Sequence, residues 1–484
     1  MASKQQTIYF GRFIDTPTPT ALRIRTGAIL VNASDGTGKI EKADWTVTSA
    51  NDATSKLGVE APVVAAGDDG FFFPGFIDTH IHAPQYPNVG IFGKTTLLDW
   101  LTTYTFPVES SLGNPNSPMY TKTLPNGTSN PKQIDPLARA KTVYTRTLQR
   151  TLSHGTTTAS YFATLSVAAT NHLADLAHNI GQRALIGRVC MDEPATCPDY
   201  YRDSSATESL EASKACIAHC RKVDPTGLLV APIITPRFAP SCTVESLRNL
   251  GQLASSEDVR VQTHLSENRN ECALVKSLFP ERESYTDVYD HAGLLTPKTI
   301  LAHAIHLDDK EIETIAQRGA KISHCAASNS ALGSGFCRVR TLLDRGVDVG
   351  LGTDVSGGHS PSILDAVRQT CFVSRHVGFL DGGDSRWNIG VEEGLWLATV
   401  GGSKVVGMEG SVGIFEEGAA WDALEIRLGA DIGSEDEAEV GENGVSIFGW
   451  ESWDDRVAKW VWNGDDRNVR RVWVGGRLVH ERKS

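Results

Sequence analysis

His80 and His82, in the stretch PGFIDTHIHAPQY, stand one residue apart. In an extended strand alternate side chains share a face, so both imidazoles would enter one space. Further along, His264 in VQTHLSEN, His303 in LAHAI and Asp354 in GLGTD each close an apolar, strand-like run. A lone strand histidine is more often structural than functional. Five residues of ligand type at the ends of separate runs point instead to a shared metal centre. Imidazole nitrogens and a carboxylate form the set that catalytic zinc sites use, with one position left for water. Water held by such an ion has its pKa lowered toward ~7. The run LLVAPIIT carries no lysine that could be carboxylated to bridge two metals, so a single ion is expected.

Other residues could act beside that centre. Glu267 falls three positions after His264, where a carboxylate can reach a ligand without binding the metal. The plainer alternative is an acid at the start of the next helix, where negative charge is favoured; acid–base work is the preferred reading. Arg237 and Phe238, in TPRFAP, offer a planar fork of donors and a ring that can stack on a flat molecule. A surface salt bridge and a core ring explain them equally well from spacing alone. Gln85, three residues after His82, has both donor and acceptor, as an amide or purine edge requires. Cys216, His219 and Cys220 could share a helix face and bind zinc, but a buried helix stripe is the simpler account.

These residues need a frame. Residues 75–82, 155–163, 183–191, 228–235, 259–266, 299–305, 320–326 and 347–354 read as strands, with helical stretches such as 135–155 and 309–319 between them. Eight strands alternating with helices predict an α/β fold, a (β/α)8 barrel, whose active site lies at the C-terminal strand ends. Residues 1–72 divide into short strand-like runs, and so does the end of the chain, including WDALEIRLG, VSIFGW, VAKWVWNG and VRRVWVGGRLVHERKS. The expected organisation is a small β-sandwich domain built from both chain termini. Residues 1–73 supply its first part, 74–395 the barrel, and 396–484 a helix and the remaining strands. Residues 109–135 read as a long surface loop, and the acidic, Gly-rich stretch 428–447 as a solvated one. No internal repeat is apparent.

The chain has 484 residues, 40% of them hydrophobic and 21% charged, enough for a sizeable core. A net charge of −12 argues against nonspecific nucleic-acid binding, which relies on clustered Lys and Arg. The nine cysteines are scattered, with no C-x-x-C, and suit reduced thiols in the cytoplasm. No signal-like or membrane-spanning run is present, so no membrane association is expected. The H-x-E and P-C-x-x-C signature of cytidine-deaminase-type zinc sites does not occur.

Together, PGFIDTHIHAPQY, GTTTASYFAT, TPRFAP, QTHLSENRNE, SHCAASNSALGSGF and GLGTDVSGGHSPSILDA resemble the guanine deaminases of the amidohydrolase superfamily, over about residues 74–425. The resemblance implies a zinc-bearing barrel that hydrolyses guanine to xanthine and ammonia in purine catabolism. By that resemblance His80, His82, His264 and Asp354 bind one Zn2+, and His303 orients the activated water. Gln85, Arg237 and Phe238 seat the purine, with His264 and Glu267 also facing it. Glu267 shuttles protons at the ring nitrogen, and Asp354 accepts the water proton and helps pass it to the departing amine. A homodimer and a small-molecule purine substrate are likewise implied. Another purine, pyrimidine or triazine ring remains the alternative substrate. Ala326 stands where relatives often have proline.

Overall fold

The computed structural model describes residues 6–34, 36–121, 135–429 and 444–482. Its centre is a barrel of parallel strands: β1 (Phe76–His82), β2 (Thr156–Phe162), β3 (Arg183–Gly187), β4 (Val230–Pro236), β5 (Arg260–Leu265), β6 (Thr299–His303), β7 (Lys321–His324) and β8 (Val349–Leu351). Neighbours in sequence are neighbours in the sheet from β1 to β8. The strands are short, apolar and buried on both faces, as parallel strands covered by helices must be. The helices Pro136–Ser153 and Asp309–Arg318 fall where the sequence predicts them, each started by an aspartate whose side chain accepts from the first turn.

No ladder joins β8 to β1, but two hydrogen bonds close the seam at the upper ends. Asp354 N–H donates to the His80 carbonyl at 2.9 Å, and His82 N–H to the Val355 carbonyl at 3.1 Å. The seam therefore sets the eighth-strand aspartate against the first-strand histidines. Gly75 has a packing reason: a Cβ there would meet Thr157 Oγ1 at 2.1 Å, so only glycine lets β1 start this close to β2.

Both termini join one further, mainly antiparallel sheet. Its order is Arg477–Glu481, Val469–Val474, Ala423–Arg427, Gly70–Pro74, Gln6–Thr18, Ala21–Asn32 and Lys39–Asp44, with Val63–Ala65 beside Gln6–Thr18. Tyr9, Phe13, Phe72, Trp421 and Trp473 form its own aromatic core. All eight strands are hydrogen-bonded into this single sheet.

Four local expectations change. VAKWVWNG is not a strand but part of the helix Trp453–Asn463. Ser452 and Asp455 form a capping box, and Val457, Trp460 and Val461 are buried at helical spacing. VSIFGW has no regular structure, and a helix, Ala50–Leu57, interrupts the N-terminal strands. The presumed surface loop 109–135 begins as the end of a buried helix, Phe106–Ser110. Residues 122–134 and 430–443, which fall within the two expected loops, lie outside the described residues.

Candidate metal and ligand site

The expected site residues all come together at the C-terminal end of the barrel. His80 and His82 project from β1, His264 from β5 and His303 from the last position of β6, while Asp354 follows β8. Gln85 sits in the 3-10 turn Ala83–Asn88 after β1; Arg237 and Phe238 follow β4; Glu267 follows β5. All are buried, none more than 9% exposed. Four non-glycine residues at these ends hold a left-handed backbone: Ser266 (φ 49°), His303 (φ 73°), Ala304 (φ 50°) and Asp354 (φ 47°). Such conformations cost energy and collect where side chains must be aimed at a site.

The donor atoms of His80, His82, His264 and Asp354 all lie within 4.8 Å of one another. His82 Nε2 is 3.1 Å from His264 Nε2, and Asp354 Oδ1 is 3.2 Å from His80 Nε2 and 3.4 Å from His82 Nε2. Ligands ~2.0–2.1 Å from a tetrahedral zinc stand roughly 3.3 Å apart, so these spacings fit one such ion. The tautomer of His264 fits as well. Its Nδ1 lies 2.6 Å from the Arg237 carbonyl and must donate to it, which leaves Nε2 as a lone pair aimed at the cluster. Burial lowers the pKa of all three imidazoles, and His80 lowers those of His82 and His264 further, keeping them neutral as ligation requires. Burial would raise Asp354, but the close approach of His80, with His303 and His82, holds it far below the usual carboxylate range. The ring of Phe162 supports the cluster, 4.7, 4.6 and 4.9 Å from the rings of His80, His82 and His264.

His303 stands to one side. Its Nδ1 is 2.8 Å from Asn329 Oδ1, and its Nε2 lies 3.5 Å from Glu267 Oε2 and 3.8 Å from Asp354 Oδ2. Burial favours neutral imidazole, but the two carboxylates outweigh it and raise its pKa. Glu267 does not cap the following helix. Asn268 is the cap, with Glu271 completing the box, and the Glu267 carboxyl turns to His303 and accepts from Ser334 Oγ at 3.1 Å. Burial pushes its pKa up to about 7 against the opposing pull of His303.

A cavity opens above the cluster. Gln85, Arg237 and Phe238 line it together with His82, His264, Glu267 and Asp354, and Leu97, Trp100, Leu101 and Leu332 supply its apolar lining. Arg237 is neither a surface salt bridge nor a free cation. It is buried in a two-pronged pair with Glu109, at 2.7 and 3.1 Å. Glu109 also accepts from Gln85 Nε2 at 2.7 Å and Tyr201 Oη at 2.7 Å. No motif surrounds it in TFPVES; an acid within an apolar helical stretch was the one available signal. Cys216 and Cys220 form a buried helix stripe, and His219 turns to Asp175 at 2.8 Å. All nine cysteines are unpaired.

Residues 71–479 match the amidohydrolase family. The chain belongs to that family. It is 45% identical over 475 residues to a probable guanine deaminase of Schizosaccharomyces pombe, covering 98% of this chain and 83% of that one. It is 38% identical over 413 residues to the guanine deaminase of Homo sapiens, covering 84% of this chain and 83% of that one. The crystal structure of guanine deaminase from C. acetobutylicum, with guanine bound in its active site, superposes with a TM-score of 0.82 at 31% identity, covering 98% of this chain and all of that one. Amidohydrolases are metal-dependent hydrolases, which accords with the donor set at the barrel mouth.

Proposed function

We propose that this chain is a guanine deaminase, hydrolysing guanine to xanthine and ammonia at a single zinc ion. The observation that carries the reading is one cavity lined at once by Gln85, Arg237 and Phe238 and by Glu267, Asp354 and two of the metal-site histidines. The relative with guanine bound and the 45%-identical relative support the choice of substrate.

His80, His82, His264 and Asp354 would hold the ion, which, when bound, acts as a Lewis acid that makes water a nucleophile near neutral pH. The chain's own groups do the rest. Phe238 and the apolar wall accept the flat face of the ring and exclude bulk solvent. Gln85 and Arg237 fix its polar edge. Glu267, whose carboxyl burial pushes up to about 7, delivers a proton to the ring nitrogen beside the attacked carbon, so that charge leaves the ring as that carbon becomes tetrahedral. His303, held by Asn329 and spaced from both carboxylates, orients the attacking water between them. Asp354, kept ionised by its histidine neighbours, takes the proton that water loses and passes it toward the departing amine. The reading extends to a homodimer in the cytoplasm. Among the described residues no helix is long and apolar enough to cross a membrane.

The test is ammonia release from guanine, adenine, adenosine and cytosine by purified protein with zinc quantified on the same sample. Guanine alone should react, with about one zinc per chain. Turnover of another ring in preference to guanine would replace this substrate, and a metal-free inactive protein would remove the enzyme.

A further inference from the structure

Glu109, in the helix Phe106–Ser110, is fully buried. Its Oε1 accepts from Gln85 Nε2 at 2.7 Å and Arg237 Nη2 at 3.1 Å. Its Oε2 accepts from Arg237 Nη1 at 2.7 Å and Tyr201 Oη at 2.7 Å. Four bonds fill the acceptor capacity of a carboxylate. Phe106, one turn earlier on the same helix, sets its ring 5.1 Å from the Arg237 guanidinium. One short helix thus holds two of the cavity's polar lining residues, Gln85 and Arg237.

The consequence is largest for Gln85. A glutamine side chain presents a donor or an acceptor according to which way its amide faces. Glu109 accepts only, so Gln85 must turn its NH2 toward it. The Gln85 oxygen then accepts the Ser356 backbone N–H at 3.1 Å. With the oxygen engaged, what Gln85 has left for a ligand is chiefly its second N–H. Arg237 has no acceptor at all. We infer that Glu109 is a positioning residue that makes the Gln85–Arg237 wall a donor surface, and that it thereby selects 6-oxopurines over 6-aminopurines. An oxo group and a bare ring nitrogen satisfy those donors. An amino group would set donor against donor and leave buried N–H groups unpaired, the kind of mismatch that discriminates most strongly. The inference rests on the purine reading proposed above and names the group that orients its recognition.

Wild type, Glu109→Gln and Tyr201→Phe are compared, all loaded with zinc, by guanine kinetics and by calorimetric binding of hypoxanthine and adenine. Those two purines differ at the C6 substituent, oxo in one and amino in the other. The wild type should bind hypoxanthine at least tenfold more tightly than adenine. Glu109→Gln places an NH2 among four donors. It should raise KM for guanine at least tenfold with kcat altered less than threefold, and bring the hypoxanthine–adenine ratio toward one. Tyr201→Phe removes a single bond, keeps the charge, and should raise KM two- to fivefold. A folded Glu109→Gln with unchanged KM and unchanged ratio overturns the inference, and so does a fall in kcat alone. Should Glu109→Gln not fold, Tyr201→Phe decides, an unchanged KM counting against it. The binding ratio needs no turnover. A wild type that releases no ammonia from guanine, yet shows a ratio that depends on Glu109, therefore counts against the proposed reaction only.

Discussion

At the scale of single residues, the most informative group is Glu267, because burial sets its function and its cost together. Its pKa of about 7 gives it a protonated form at neutrality, which an acid catalyst needs. That form is fully present well below pH 7 and is lost as pH rises through it, so kcat/KM for guanine should decline on the alkaline side. Glu267→Gln should reduce turnover by ~10²–10⁴-fold or more with the metal retained, measured by ammonia release and metal analysis; near-normal turnover would remove Glu267 from the proton transfer. The same shift destabilises the fold. The unfolded carboxyl ionises near 4.5, the folded one near 7, so the cost grows between those values and is complete above them. Metal-free Glu267→Gln should therefore be more stable than metal-free wild type at pH 8, by about 3 kcal/mol or less, with the gap closing below pH 4.5. Denaturant melts at the two pH values check this. Arg237→Ala should raise KM for guanine and, by stranding Glu109 as a buried unpaired charge, destabilise by ~3–5 kcal/mol. Histidines and an aspartate at strand ends were legible in the sequence because metal ligation demands few residue types. Glu109 was not, because a carboxylate that serves two other side chains needs no motif of its own.

At the scale of elements, the sequence pattern located all eight barrel strands, since each is a short, largely apolar run that is buried on both faces. It failed at VAKWVWNG, where Val and Trp favour strands by propensity while their spacing buries one face of a helix. Tertiary packing decided that case. Trp460 is fully buried and its ring meets Phe71, Phe73 and Phe76 at centroid distances of 5.4, 5.3 and 6.0 Å. Phe71 and Phe73 belong to the terminal sheet, and Phe76 opens β1 only two residues before Asp78, whose carboxylate accepts from Thr353 beside Asp354. This helix therefore clamps the strand that carries two of the proposed ligands. Trp460→Ala should cost ~3–5 kcal/mol, read as a lower denaturation midpoint. If the clamp reaches the site, zinc affinity should fall as well; full affinity in a destabilised variant would confine Trp460 to packing.

At the scale of the whole molecule, the barrel and the terminal sheet share one interior. Ile14, Phe73, Ile426 and Val472 from the sheet lie in the same buried cluster as Phe76, Val261 and Leu301 from the barrel. Asp422, just before the strand Ala423–Arg427, holds Arg183 at the start of β3 through two buried hydrogen bonds of 3.0 and 2.9 Å. Two parts tied in this way should unfold in one transition although they are distinct in architecture. The proposed ion adds a third tie, joining β1, β5 and the end of β8 across the seam where no strand ladder forms. An ion that binds the folded chain and not the unfolded one stabilises by about 2.7 kcal/mol when free metal is a hundredfold above its dissociation constant. Chelation should therefore abolish ammonia release and also lower the melting temperature of the entire chain, still in a single transition. Restoring zinc should recover both together. If chelation removed activity while leaving the melting temperature unchanged, the ion would not be bridging the seam. If it instead produced a separate low-temperature transition, the barrel and the terminal sheet would not share their stability.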